Sequence, residues 1–240
     1  MYRYTPARGS WIAMTIVAAA VAVSIAGAPR ARAQERPPLT ALIPPDSAAW
    51  QKRREQRIDI LRTEFAKPGA PNAAFDQMVT AFEAHPVDQT PLENLDLIGA
   101  WYASRDGILK VLPQIVMNVT LGYYDTLRFA SASGQEQILN GEGLFKRALL
   151  LAGKPRIEEY VAVVNAHPEQ IRAAVQEGLA MADKVKDTTS YDRNWPSAYG
   201  LEHTVCALGG ECPRPPGAEP YLWPGLWAEA RDKVSAYFKG

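Results

Sequence analysis

One segment limits the folds open to this chain more than any other. From Val111 to Ala130 the apolar residues Val111, Leu112, Ile115, Val116, Met117, Val119, Leu121, Tyr123, Tyr124, Leu127 and Phe129 leave no continuous polar face. A helix of this kind has no side to turn to water, so it belongs at the centre of a bundle with other helices covering it. The β-branched residues between Ile115 and Thr120 make a pair of strands the competing reading, but an unbroken run of this length exceeds an ordinary strand.

The segments around it carry helical punctuation. Asp46 or Ser47 can cap an amphipathic helix that runs to about Ala66 and stops at Pro68-Gly69. Asn72 is the expected cap of a second helix to Ala84, with Phe75, Met78, Val79 and Phe82 in register. Thr90-Pro91 followed by Glu93 reads as a capping box with proline at the first helical position, opening a helix to about Tyr102. Further helices are expected over Gln135–Ala152, from Arg156 to about Ala166, from Pro168 to about Val185, over Pro196–Leu208 and over Pro224–Phe238. The tripeptide Ala-His-Pro, at 84–86 and 166–168, falls both times at a helix junction and reads as punctuation rather than as a repeat. The expected fold is therefore all-α: one irregular bundle of about seven to nine helices around a central apolar helix, occupying residues 47–240.

The amino-terminal region is of another kind. Arg3 and Arg8 precede an uncharged apolar run from Trp11 to Ala28, followed by Ala31-Arg32-Ala33. This order reads as a signal peptide over residues 1–33, cleaved before Gln34, and places the mature chain in the periplasm or outside the cell. A retained anchor is the alternative, with a run of about 18 residues at the lower limit for a span. Residues 34–46 hold two Pro-Pro pairs and read as a flexible lead-in. Cleavage removes four arginines and no acid, changing 26 basic and 26 acidic residues to 22 and 26. A net charge of −4 gives no footprint for nucleic acid, and no membrane span is expected after cleavage.

In an oxidising compartment the only two cysteines, Cys206 and Cys212, read as a disulfide. His203, three residues before Cys206, can share a metal with it at helical spacing, but a metal site needs further ligands and none is expected. Signatures of serine hydrolases, zinc proteases, covalent haem attachment, phosphate-binding loops and EF-hands are all missing, and no cofactor is expected.

Two constellations remain as candidate sites. Tyr191 to His203 gathers Asp192, Arg193, Trp195, Tyr199, Glu202 and His203, with Tyr199 and His203 four apart on the expected helix. The apolar helix carries Asn118, Gly122, Asp125 and Arg128, whose polar groups are costly to bury without partners. The site residues expected are thus Asp125, Arg128, Asp192, Arg193, Trp195, Tyr199 and His203. Several of these polar positions also have a structural explanation: Asp192 as a cap, Trp195 as packing, Arg193 at a helix end, Asp125 with Arg128 as an internal pair and Asn118 on a facing backbone. The function expected is that of an exported binding or interaction protein, engaging an envelope protein or a small ligand through Tyr191–Cys212, with Trp195, Tyr199, Tyr221, Trp223 and Trp227 as anchors. The alternative is a metal-independent envelope hydrolase or lyase using His203 and nearby carboxylates. Convergence of Asp125, Asp192 and His203 favours the second or a small ligand; an exposed tryptophan ridge favours a partner.

Overall fold

Helices are the only regular elements in the computed structural model, which describes residues 47–139, 143–209 and 217–238. The expected signal peptide, the lead-in and Cys212 lie outside the described residues. In chain order the α-helices are α1 Ser47–Ala66, α2 Ala73–Ala84, α3 Pro91–Ser104, α4 Ile108–Phe129, α5 Ala132–Leu139, α6 Gly143–Ala152, α7 Lys154–Ala166, α8 Pro168–Val185, α9 Leu201–Ala207 and α10 Trp223–Tyr237. Single 3-10 turns cover Trp195–Ala198 and Pro220–Leu222.

Local chemistry explains several of the boundaries. The Asn72 side chain accepts from the Phe75 amide, and Thr90 and Glu93 form the reciprocal capping box that opens α3. Both Ala-His-Pro tripeptides end helices: His85 and His167 leave the helical region with φ near −139° and −134°, and Pro168 starts α8.

Helix α4 packs against α8, α3, α10 and α6, and 16 of its 22 residues are buried. Its fit against α8 depends on Gly178, where a Cβ would lie 2.5 Å from the Pro113 carbonyl and 2.6 Å from the Val116 Cβ. On the α3 side, the Asn94 amide donates to Asn118 Oδ1 at 2.9 Å and to the Pro86 carbonyl at 2.8 Å, while Asn118 donates to Gln114 of its own helix. Asn118 therefore meets a side chain on α3 rather than a facing backbone. Helix α10 closes a further side, with Trp227 edge-on to Tyr124 at 5.0 Å between ring centres.

Two expected helices are each divided. The segment expected from Gln135 to Ala152 is α5 and α6, and Gly143 at the start of α6 has φ +52°, a left-handed conformation that breaks the helical path. The helix expected from Pro196 to Leu208 is a 3-10 turn and then α9, separated by extended Tyr199 and by Gly200 at φ +104°. A Cβ on Gly200 would sit 2.8 Å from the Gly134 amide, so this kink and the close approach of α5 to α9 require the same glycine. Tyr199 is thus not on the helix that carries Glu202 and His203, and the shared face expected for Tyr199 and His203 is not formed.

Candidate functional site

The last turn of α4 brings the two polar constellations together, though through fewer residues than the sequence suggests. Asp125 and Arg128 are 1% and 2% exposed, and an Arg128 amino group donates to Asp125 Oδ1 at 2.5 Å. The other carboxylate oxygen, Oδ2, accepts from the Tyr191 hydroxyl at 2.9 Å and from the Trp195 indole N–H at 3.0 Å. Burial pushes the Asp125 carboxyl above its ordinary range, while Arg128, Trp195 and Tyr191 pull it down without fully offsetting the desolvation. Burial likewise raises the Tyr191 phenol well above its usual value, and the Asp125 charge adds to the effect.

Aromatic rings surround the guanidinium. Its carbon lies 3.7 Å from the centre of Tyr124, 4.7 Å from Trp223 and 4.9 Å from Phe129. The Arg128 carbonyl accepts from the Ala218 amide at 2.6 Å, and the Trp223 indole donates to the Ala218 carbonyl. The cluster is closed and internally bonded. A carboxylate so enclosed cannot meet a substrate without movement of the segments above it.

The other expected site residues lie outside this cluster. Asp192 accepts from the Asn194 amide at 2.9 Å and shapes the turn before Trp195, while Arg193 donates to Thr189 Oγ1 and to the Asp187 carbonyl. Tyr199 stands edge-on to Trp195 and borders a small 130 Å³ recess with Leu92, Gln137, Ile138, Leu144 and Arg147. His203 is half-exposed on α9, and no hydrogen bond joins it to Asp125 or Asp192. Cys206 is buried on the same helix, and its expected partner lies outside the described residues.

Sequence reasoning missed the junction that holds α9. Ser131 and Ser133 both donate to Glu202 Oε2, at 2.8 and 2.5 Å, and Ser133 also accepts from the Leu201 amide. The Gly200 amide donates to Gln137 Oε1 at 2.8 Å. Hydrogen bonds from Ser133, from its own backbone and from Ser131 hold the Glu202 carboxyl below its usual range. The readable signal was Ser131-Ala132-Ser133-Gly134, a capping sequence directly after the long apolar helix.

A second concavity, about 250 Å³, opens between α2 and the α3–α4 corner, over Phe75 and Trp101. Most of its charges are paired within the protein: Lys110 with Asp106, Arg105 with Asp76 and with buried Glu64, and Trp101 donates to Asp106, while Glu83 also lines the cleft. It is a shallow cleft whose polar groups mainly join helices. No group of three or more His, Cys, Asp or Glu is placed to hold a metal ion among the described residues.

The tryptophans form no exposed ridge among the described residues. The indoles of Trp195, Trp223 and Trp227 donate inward, to Asp125, to the Ala218 carbonyl and to Asp183, and only Tyr221 of the five expected anchors is exposed. Apart from Tyr221, the exposed large apolar side chains described between 191 and 222 are aliphatic. Leu201 and Val205 on α9 and Leu208 at its C-cap follow one another at four and three residues along one side. No protein-family model matches the chain, and no curated protein and no solved structure shows significant similarity to it.

Proposed function

We propose that this chain is an exported helical binding protein that engages a partner protein through the aliphatic face of α9. The observation that carries the reading is the exposure of Leu201 and Val205 on α9 and of Leu208 at its C-cap, at 66, 47 and 72%, on a helix held at its first turn. A contiguous apolar face costs free energy in water, and its place on an ordered helix lowers the entropy lost on association. Glu202, Gly200 and the Leu201 amide supply that bracing through Ser131, Ser133 and Gln137. The signal peptide, a periplasmic or secreted location and a Cys206–Cys212 bridge belong to the same proposal, since a short disulfide loop would tether the far end of α9.

The enzymatic alternative has less behind it. A general base needs a raised or near-neutral proton affinity, whereas Glu202 beside His203 is held low by two serine hydroxyls. Asp125 is enclosed, and Asp192 is engaged in its own turn.

A photo-cross-linking residue at Val205, compared with one at exposed Gln176 on α8, tests the proposal in cells that export the chain. The expected result is one adduct of defined mass from position 205, absent from position 176 and abolished by Leu201→Glu with Leu208→Glu. An adduct of twice the chain's own mass would identify the partner as a second copy. The same adduct pattern from both positions would overturn the assignment of this face.

A further inference from the structure

We infer that the Asp125–Arg128 ion pair is a two-sided latch: it ties residues 191–200 and residues 217–223 to the same turn of α4, so that release of either segment loosens the other. The two ends of the pair face different segments. Asp125 receives Tyr191 and Trp195 from one, while Arg128 stacks on Trp223 and offers its carbonyl to Ala218 of the other. Gly217 fits closely there, since a Cβ would lie 3.1 Å from the Phe129 ring and 3.4 Å from the Arg128 carbonyl.

Coupling follows from how little else holds the guanidinium. The Arg128 Nε is buried without a hydrogen-bond partner, and among the described residues the group is held by Asp125 and by aromatic faces. If Tyr191 and Trp195 withdraw, water reaches Asp125 Oδ2, and solvation of the carboxylate weakens its hold on Arg128. The guanidinium then turns toward water and gives up its contact with Trp223. In the reverse direction, removal of Trp223 opens Arg128 to water and weakens the partner that Tyr191 and Trp195 share. Helix α9 follows the first of these segments in the chain and has its own bonds to Ser131, Ser133 and Gln137. The coupling holds whether or not α9 meets a partner.

Hydrogen exchange on the full chain tests the latch, using variants that keep the ion pair itself. Tyr191→Phe combined with Trp195→Phe removes two donors to Asp125 on one side, and Trp223→Leu removes the stacking ring on the other. The first is expected to speed exchange of the 218–223 amides by roughly tenfold, and the second to do the same for 191–200, with α3 and α6 unchanged. Acceleration confined to the substituted segment, no acceleration at all, or acceleration spread through α3 and α6 would each overturn the latch. In the unsubstituted protein at low denaturant, the two segments should share one opening event with a common denaturant slope, and two distinct slopes would count against it equally.

Discussion

Asp125 and Arg128 form an ion pair across one turn of α4, 2.5 Å between the bonded atoms, where both side chains are almost wholly withdrawn from water. Desolvating two charges consumes most of what their attraction returns, so the pair adds little net stability, yet loss of one member leaves an uncompensated buried charge. Asp125→Asn or Arg128→Met alone is expected to cost about 3–5 kcal/mol, while Asp125→Asn with Arg128→Met should cost clearly less than the sum of the two, since no charge is left buried alone and the amide oxygen still accepts from Tyr191 and Trp195. Urea denaturation of the four proteins gives the coupling energy. Single substitutions that each cost under about 1 kcal/mol would show that water already reaches the pair.

Glu64 titrates in the opposite sense. Burial alone would raise its carboxyl, but hydrogen bonds from Arg105, Ser104 and Asn72 outweigh it and hold the group below its ordinary value. The unfolded chain therefore binds more protons just below pH 4.5, and the stability from this site is complete above that pH and is lost as the pH falls through the folded value. For Asp125, raised from 3.8, the folded state binds the extra proton, so its contribution falls as the pH rises from 3.8 through the folded value. Glu64→Gln should be less stable at pH 7 and lose less on acidification than the unsubstituted protein. Melting temperatures from pH 7 to pH 3 check this, and parallel curves would contradict it.

Gly178 has a different constraint, one of space. In an exposed helix interior Gly→Ala gains about 1 kcal/mol. Here the new methyl would lie 2.5 Å from a backbone oxygen of α4 and 2.6 Å from the Val116 Cβ, so α8 must shift along its main contact. The expected outcome is a net loss of about 1–3 kcal/mol by chemical denaturation, and a gain would show that α4 and α8 separate easily.

Local signals accounted for the fold, and long-range ones were missing for the site. The caps at Asn72 and Thr90, the Ala-His-Pro stops and the apolar run of α4 act within a few residues, so all of them can be read from neighbours in the chain. The break before α9 depends on Gly200 lying against Gly134 and Ser133, a contact spanning more than sixty residues that no local pattern announces. Asp125 and Trp195 were candidates because buried carboxylates and aromatic-rich junctions are conspicuous. Tyr191, which completes the cluster, carries no mark beyond standing at the start of that junction. The tryptophans misled for a related reason: an indole is as well suited to closing a polar core contact as to anchoring an interface, and composition does not tell the two apart.

The aliphatic face of α9 separates a structural role from a binding role, because the two predict opposite effects on stability. Leu201 and Leu208 are mostly in water in the folded chain, so exchanging them for glutamate removes little burial. Leu201→Glu and Leu208→Glu, singly and together, are therefore expected to change unfolding stability by no more than about 0.5 kcal/mol per site. A buried control sets the scale: Leu179 on α8 is 3% exposed, and Leu179→Ala should cost about 2–5 kcal/mol. If the charged α9 variants instead lose stability on the scale of Leu179→Ala, the face is covered in the folded protein by another part of the chain. If they keep full stability and lose the cross-link at Val205, the face is held for association, since an uncovered leucine pair with no folding role serves the chain only through what it touches.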